Sequence, residues 1–461
     1  MSLKELDMKI FQVFVATAIA SGALGNFPHA VFAQNGTATG SSLTLRLHAL
    51  DQKLRILERR WEIEQETAAA KKKETPLLNA GQEGFSLKSA DNRFQLKLRG
   101  YAQSDGRFFF ADAEKRFTNT FLMRRIRPIF DGTLDKNFDF YFMLDFGGGT
   151  ATVQDVYLDF RYWPQARVRV GKFKEPFGLE RLQSGANLLF VERALPTNLV
   201  PNRDLGAQLH GELAKGAVTY ALGVFNGVVD GGSADNDNGD EKDFVGRLFL
   251  LPFKNTSTAL QGLGFGVAGS SGTQKGNVTA PSLPSYRTPA QQTYFSYRSD
   301  ATAAGTAIAS GKRARISPQG YYYSGPFGLL GEYVISKQEV TRGIISENLQ
   351  NDSWQVAASY VITGQKTNCR GVTLPKPFEP KESNWGAFEL AARYSKLNVD
   401  RDAFPAFADP AKSAQTATAW AVGINWYLNR NTKLTVDYEQ TDFAGDRKLE
   451  KIVFSRLRLN Y

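Results

Sequence analysis

Residues 121–131 read Phe-Leu-Met-Arg-Arg-Ile-Arg-Pro-Ile-Phe-Asp. The aromatic and branched apolar residues favour a β-strand, in which every second side chain faces the same side. Alternation therefore separates two sets, with Arg125, Arg127 and Asp131 on one side and Leu122, Ile126 and Phe130 on the other. A strand with one apolar and one cationic side is typical of a membrane β-barrel, which contacts lipid outside and water inside. For this stretch alone, a surface strand of a soluble sandwich is the alternative.

The same alternation extends over most of the chain. From Phe138 to Phe146, apolar residues occupy every second position, and Asp139 and Asp145 share the other side. Similar segments predict about sixteen strands between residues 93 and 461, an even number as bacterial barrels have. Long loops are expected at residues 175–205, 228–243, 270–316, 339–352 and 401–415. Because short turns and long loops alternate, we expect an all-β fold, an antiparallel transmembrane β-barrel.

Composition and charge restrict the function classes. The 461 residues carry a net charge of +10 and one cysteine, Cys369, so an intramolecular disulfide is excluded. The positive balance points to an anionic partner. No basic run with interleaved aromatic residues predicts a nucleic-acid surface, and we expect no nucleic-acid partner.

Residues 1–33 have the pattern of a secretory signal peptide. Lys4 and Lys9 accompany an apolar core, and Val31-Phe32-Ala33 places small residues where signal peptidase cleaves. The apolar stretch is shorter than the roughly 20 residues of a spanning helix. The sequence therefore predicts an exported protein.

Residues 34–75 predict the one clear helix of the chain, which precedes the barrel. Its apolar residues are spaced four, three, four, three and four positions apart, at Leu43, Leu47, Leu50, Leu54, Leu57 and Trp61. This a/d heptad seam on a charged helix predicts a coiled coil formed by copies of the chain. A helix lying on its own domain is the alternative. Residues 76–92 are expected to be a linker to the barrel at residues 93–461.

The sequence offers little for catalysis or metal binding. Only His48 and His210 follow the signal segment, and neither has a second histidine nearby. A zinc site or a histidine-based catalytic centre therefore lacks its residues. We expect no catalytic residue, no metal and no cofactor, so that the barrel is a channel and not an enzyme.

Basic residues recur on the predicted inner side of the barrel. They are Arg93, Lys97, Arg99, Arg125, Arg127, Arg161, Arg167, Arg169, Arg456 and Arg458. Guanidinium groups bind oxyanions in a forked geometry and keep their charge. Inner acids such as Asp155 and Asp159 offset part of this field. The pattern favours a channel that concentrates small anions.

Several motifs are similar to those of the phosphate- and polyphosphate-selective porins of bacterial outer membranes, porins O and P. They are Phe94-Gln-Leu-Lys-Leu98, Arg124-Arg125, Gly171-Lys-Phe173, Phe177-Gly-Leu-Glu180, Glu192-Arg193, Gly386-Ala-Phe-Glu-Leu390 and Gly423-Ile-Asn-Trp-Tyr427. The resemblance runs from about residue 93 to residue 461. It implies a sixteen-stranded homotrimer in outer-membrane lipid, whose inward loops narrow the pore around an arginine- and lysine-rich site. We expect the preceding helix to lie in the periplasm.

The resemblance assigns roles to particular positions. Arg124 and Arg125 match the arginine pair of the family's binding site, and Asp155 lies where the family has a pore acid. Tyr101 stands where the family has an arginine, and residues 183–187 lack the family's loop lysine. Strict alternation puts Arg124 on the lipid side, where it would need a β-bulge, a contact within the trimer or a position at the level of the surrounding water.

The expected function is passive passage of small anions, with phosphate or related oxyanions as the solutes. The expected solute-contacting residues are Arg124, Arg125, Arg127, Asp155, Tyr101, Arg193 and Arg203. A general or sugar-type porin with the same barrel is the alternative, since aromatic side chains also line sugar pores.

Overall fold

A computed structural model describes residues 39–81, 84–110, 116–236, 239–445 and 447–461. For residues 39–43 and 68–74 it describes the backbone alone. The expected signal peptide, residues 1–33, lies outside the described residues. No helix in the described ranges is long and apolar enough to cross a bilayer.

The helix α1 spans Thr39–Glu74, and its residues up to Lys72 belong to the first of two units of the chain. The described seam residues Leu47, Leu50, Leu54, Leu57 and Trp61 are 57% to 65% exposed. Surface ion pairs join Arg55 to Asp51 and Arg59 to Glu62. The helix of the sequence analysis is therefore present, and its self-association stays a prediction.

The second unit, from Lys73 to Tyr461, is built from strands. Their bounds are β1 Leu77–Gly81, β2 Gly84–Lys88, β3 Gln95–Phe109, β4 Thr120–Leu134, β5 Phe138–Asp145, β6 Thr152–Trp163, β7 Ala166–Lys174, β8 Arg203–Leu213, β9 Val218–Phe225, β10 Asp243–Leu250, β11 Leu263–Lys275, β12 Ser285–Arg287, β13 Thr293–Ser296, β14 Ile308–Ser324, β15 Phe327–Arg342, β16 Ile345–Val361, β17 Thr367–Asn368, β18 Gly371–Val372, β19 Ala387–Asn398, β20 Thr416–Tyr427, β21 Thr432–Phe443 and β22 Glu450–Asn460.

Sixteen of these strands form a closed antiparallel barrel, which confirms the expected fold class. They are β3 to β11, β14 to β16 and β19 to β22, each paired with the next along the chain. The ring closes where β22 pairs with β3, from Ile452 opposite Phe109 to Asn460 opposite Tyr101. The pairs β12–β13 and β17–β18 lie in connections outside this ring.

The barrel has the distribution of polarity that a membrane requires. Apolar residues such as Phe265, Val267 and Leu222 are exposed on the outer side, whereas Gln319 and Thr435 are buried on the inner side. A soluble sandwich would bury the apolar set instead. The alternating apolar and polar residues of the sequence therefore face lipid outside and a polar lumen inside, as expected.

Three segments differ from their expected structure. Residues 270–316 were expected to be one long loop, but residues 270–275 belong to β11 and residues 308–316 belong to β14. Residues 76–92, expected to be a linker, contain the hairpin β1–β2. The strand β2 pairs with residues 95–98 of β3, which precede the part of β3 that pairs with β22. Residues 339–352, expected to be a long loop, are mostly the ends of β15 and β16, joined at Gly343 and Ile344. In these strand ends Val340 and Leu349 are buried, whereas the exposed side carries polar residues such as Lys337, Asn348 and Gln350. The ends therefore lack the apolar outer side by which a membrane strand is recognised.

Loops from the end opposite the chain termini cover part of the lumen. The segment 276–307, which contains β12 and β13, contacts the segment 399–415: Arg298 N donates to Phe407 O at 2.8 Å. The same two segments contribute buried Tyr286, Tyr294, Phe295 and Phe407 to one apolar cluster. This packed cover borders one of two neighbouring cavities of the lumen. These two cavities hold the candidate site, and together we call them the conduit.

We expect deletion of Tyr461 to weaken closure of the barrel. Its backbone N–H donates to Gly100 O at 3.0 Å and its carbonyl accepts from Gly100 N–H at 2.9 Å. Each such bond contributes about 1 kcal/mol, so about 2 kcal/mol of folding free energy is lost. Refolding in detergent, followed by heat-modifiable gel mobility, should give less folded protein. Tyr461→Phe keeps both bonds and is the control; a deletion variant that refolds like the control would contradict this role.

Candidate functional site

Residues 175–202, between β7 and β8, fold into the lumen and cross to the opposite wall. Lys433 Nζ on β21 donates to Leu188 O at 2.8 Å, and Asn425 Nδ2 on β20 donates to Leu189 O at 2.9 Å. The Val191 N–H donates to Asp437 Oδ2 at 2.5 Å. We call residues 175–202 the inward loop. It is fixed to strands that lie far from its own ends in the ring.

Glu192 in this loop is shared by four arginines. Its carboxylate lies 2.5 Å from Arg124 Nε and 3.0 Å from Arg107 Nη2, with Arg125 at 3.5 Å and Arg456 at 3.7 Å. Burial disfavours the charged carboxylate, but Arg124, Arg125 and Arg456 outweigh it and hold the pKa of Glu192 below its ordinary value. Glu192 therefore stays ionised and joins three barrel strands through the loop.

A β-bulge brings Arg124 into this cluster. Gln103 of β3 pairs with Arg125 and Ser104 pairs with Met123, so Arg124 is the extra residue. The bulge places Arg124 and Arg125 on the same side of β4, which is one of the three arrangements that the sequence left open for Arg124. Leu122 was expected on the outer side, but the exposed residues before the bulge are its neighbours Phe121 and Met123. The bulge explains this difference, because one extra residue shifts the alternation by one position.

Two cavities occupy the conduit. The terminal-side cavity, about 660 Å³, is lined by Lys97, Tyr101, Tyr141, Tyr157 and Tyr461 among others. The loop-side cavity, about 630 Å³, is lined by Arg124, Arg125, Glu192 and Arg193 among others. Arg127, Lys174 and Arg203 line both cavities. We call these three residues the boundary cations.

The boundary cations differ in how they are paired. Arg127 Nε donates to Asp145 at 2.7 Å and its Nη1 donates to the Tyr101 hydroxyl at 2.8 Å. Arg203 Nη2 donates to Asp155 at 2.9 Å. Lys174 Nζ donates to two carbonyls of the inward loop, those of Arg181 and Gln183, at 2.7 and 2.8 Å.

Lys174, Arg181 and Arg193 form no ion pair with a carboxylate in the described part of the chain. Arg181 donates to Thr197 O at 2.5 Å, and Arg193 donates to Glu180 O and Gln183 O at 3.1 and 2.8 Å. A backbone carbonyl accepts a hydrogen bond but does not cancel a charge. In their protonated forms these three side chains therefore add an uncancelled positive field to the loop-side cavity, which all three line.

The charges that line the cavities are mainly positive. Six cationic side chains line the terminal-side cavity, against the carboxylates of Asp131 and Asp155: Lys97, Arg99, Arg127, Arg169, Lys174 and Arg203. Eight line the loop-side cavity, against Asp145, Glu192 and Asp230: Arg124, Arg125, Arg127, Lys174, Arg181, Arg193, Arg203 and Arg287. An anion in either cavity meets an excess of cations.

Several acids of the barrel strands lie behind the inward loop. Glu332 accepts from Leu179 N at 2.7 Å, Asp437 accepts from Val191 N at 2.5 Å, and Glu439 accepts from Arg393 at 3.1 Å. These acids are buried and line neither of the two cavities. The loop thus separates a set of carboxylates from the conduit.

All seven residues expected to contact solute line these two cavities. Tyr101 and Asp155 lie in the terminal-side cavity, and Arg124, Arg125 and Arg193 lie in the loop-side cavity. Arg125 is 3% exposed and donates to Gln103 at 2.7 Å, so the pair of arginines is unequal. Arg124 is the more accessible of the two.

Lys174 and Arg181 were not among the solute-contacting residues expected from the sequence, and no role was expected for Glu192. Counting by two from the inner residue Arg169 places Lys174 on the outer side. The alternation is interrupted at Gly171, whose φ of +135° is a conformation that favours glycine. The glycine of the Gly171-Lys-Phe173 motif was the sequence signal that could have indicated this interruption. No group of three His, Cys, Asp or Glu side chains in the described residues could hold a metal ion.

Comparison with known proteins identifies the family. Residues 94–448 match the family described as Phosphate-selective porin O and P. Porin O of Pseudomonas aeruginosa (strain PAO1) is 23% identical over 390 residues, which cover 77% of this chain and 84% of Porin O.

Solved structures similar to the fold include the outer membrane channel DcaP of Acinetobacter baumannii, 10% identical, covering 83% of this chain and 99% of DcaP with a TM-score of 0.52. In-vitro folded OmpT, an outer membrane protein of Vibrio cholerae, is 11% identical and covers 80% of this chain and 98% of OmpT with a TM-score of 0.50. The resemblance stated from the motifs is confirmed. The chain is an outer-membrane porin and belongs to the phosphate-selective porin O and P family.

Proposed function

We propose that the protein is a passive channel for small anions and that phosphate or a related oxyanion is its preferred solute. The observation that carries this proposal is the excess of cations along the conduit, in the cavities on both sides of Arg127, Lys174 and Arg203. An ion that leaves bulk water needs replacement partners, and fixed cations supply them for anions.

The geometry supports oxyanions in particular. Guanidinium and ammonium groups from several elements face one space: Arg124 and Arg127 from β4, Lys174 from β7, and Arg193 from the inward loop. Such donors can surround a tetrahedral oxyanion from several directions. The family description names phosphate, and Porin O is a relative.

A general or sugar-type porin is the second candidate. Tyr101, Tyr141 and Tyr157 line the terminal-side cavity, and sugar rings pack on aromatic faces. The cationic excess is of no use to a neutral sugar. Block of the chloride current by maltose, without block by phosphate, would favour this candidate.

We also propose that the protein is a homotrimer with α1 in the periplasm. The exposed seam from Leu47 to Trp61 supports self-association, because isolated apolar seams of this kind are stabilised by burial against copies of themselves. The number three rests on the family resemblance, whereas the seam supports self-association alone. Lipid of the outer membrane would contact the apolar outer side of the barrel.

Replacing Lys174 by glutamine should reduce anion selectivity. At about 6 Å in water a unit charge changes an ion's energy by about 0.7 kcal/mol, or about threefold, with opposite sign for anions and cations. We expect the anion-to-cation permeability ratio to fall about tenfold. Reversal potentials across a potassium chloride gradient in planar bilayers measure this ratio.

The control is Asp155→Asn combined with Arg203→Gln, which removes one acid and one base and leaves the net charge unchanged. Its permeability ratio should stay within about twofold of the wild-type ratio. An unchanged ratio in Lys174→Gln would reject Lys174 as a source of selectivity. Cation selectivity in the wild-type channel would reject the proposed function itself.

Phosphate should block the chloride current, and Arg124→Gln should weaken that block. Hydrogen bonds to charged groups contribute about 1.5 kcal/mol or more, so the half-blocking concentration should rise about tenfold. Arg287→Gln is the matched control, because Arg287 lines the same cavity at an exposed position. Equal block in both variants would contradict a role for Arg124, and absence of block in the wild-type channel would contradict a phosphate site.

Lysine at Leu50 and Leu57 together should destabilise the oligomer. Each leucine buried in a coiled coil contributes about 1.5–3 kcal/mol, so every copy loses about 3–6 kcal/mol. The oligomer should dissociate at a lower temperature on seminative gels of the full-length protein. Lysine at Leu45 and Ile56 is the control, since both are exposed and lie off the seam. A lower dissociation temperature in the control alone would show that the seam is not the contact.

A further inference from the structure

The terminal-side cavity contains a ladder of aromatic rings and guanidinium groups. Tyr141 of β5 lies opposite Tyr157 of β6, and their rings stack with centroids 5.2 Å apart and planes 4° apart. Arg169 lies over the Tyr157 ring at 4.1 Å, and Arg99 lies 5.7 Å from the Tyr141 ring. These four side chains hold one another in place, so the wall is pre-organised for a ligand.

Apolar side chains continue this wall. Ile129 of β4 pairs with Met143 of β5, and both line the cavity next to Tyr101. They pack partly against Ala186 of the inward loop. An inorganic ion gains nothing from apolar side chains in a water-filled lumen, whereas an organic body does.

The loop-side cavity has a different chemistry. Its barrel wall carries Arg124, Arg125, Asp145 and Thr152, which are charged or hydrogen-bonding residues. The conduit therefore changes character across the boundary cations, from polar and cationic to aromatic and cationic.

Cations accompany the aromatic wall. Lys97 lines the terminal-side cavity and has no ion pair in the described part of the chain, and Lys174 lies at the boundary without a carboxylate partner. At about 660 Å³ the cavity has the size of sites that take small organic molecules. Apolar surface and unpaired cations in one space fit a ligand that has both an apolar body and a negative charge.

We propose that the terminal-side cavity binds organic carboxylates with a flat apolar body, the carboxylate facing Lys97 or Lys174 and the body packing on Tyr141 and Tyr157. This proposal rests on the proposed anion-channel function and extends its solutes beyond inorganic oxyanions. Benzoate is the simplest probe, because it combines one ring with one carboxylate.

The test measures block of the chloride current of the full-length porin in planar bilayers. Benzoate is compared with acetate, which has the charge without the ring, and with benzyl alcohol, which has the ring without the charge. We expect benzoate to block at a concentration at least tenfold below that of either compound. Block by benzyl alcohol at the benzoate concentration, or equal block by acetate and benzoate, would overturn the proposal.

Substitution locates the site. In Tyr141→Gln/Tyr157→Gln the advantage of benzoate over acetate should fall below twofold. Tyr321→Gln/Tyr323→Gln is the matched control, since this tyrosine pair on β14 lines a different part of the barrel and should keep the tenfold advantage. An unchanged advantage in the first variant would overturn the assignment to this cavity.

The organic-carboxylate site and the anion channel can be rejected separately. An anion-selective channel in which benzoate has no advantage over acetate rejects the organic-carboxylate site and leaves the anion channel standing. A channel without anion selectivity rejects the function on which the site rests. If the first tyrosine variant does not fold, as judged by heat-modifiable mobility, the comparison of the three compounds on the wild-type channel decides the proposal.

Discussion

Four guanidinium groups converge on the single carboxylate of Glu192, and the rest of the conduit depends on that arrangement. Arg107 belongs to β3, Arg124 and Arg125 to β4, and Arg456 to β22, so the loop is bound to the wall where the barrel closes. A buried ion pair is costly to form and costly to break on one side, which makes it a register device more than a source of stability. The position of the inward loop is thus set by charge, and the loop in turn divides the lumen.

The same arrangement assigns different tasks to similar residues. Arg125 is enclosed and contacts Glu192 and Gln103, while among the described residues Lys174 and Arg193 donate to carbonyls of the loop and to no carboxylate. Cations that are satisfied by carbonyls keep their charge available to a passing ion. Cations that share a carboxylate mainly hold the structure. Counting arginines in a pore therefore gives a poor estimate of its field.

The sequence predicted the barrel and most of the site because both follow from period-two alternation. An apolar outer side and a polar inner side recur over sixteen strands, so errors at single strands do not matter. Prediction failed where the period breaks: at the Arg124 bulge for Leu122, at Gly171 for Lys174, and at the ends of β15 and β16, which leave the alternating pattern. The role of Glu192 depends on contacts with residues more than 60 positions away in the chain, such as Arg124, and local sequence patterns do not reveal such contacts.

The acids behind the inward loop have a consequence for how pores of this kind diversify. Glu332, Asp437 and Glu439 belong to barrel strands, and the loop hides them from the conduit. A shorter or displaced loop would uncover them without any substitution in the wall, and cations would then find partners along the same strands. The ionic preference of such a barrel therefore depends on which charged side chains the loop covers as much as on which ones line the conduit. Insertions and deletions in one connection could change it faster than point substitutions in sixteen strands.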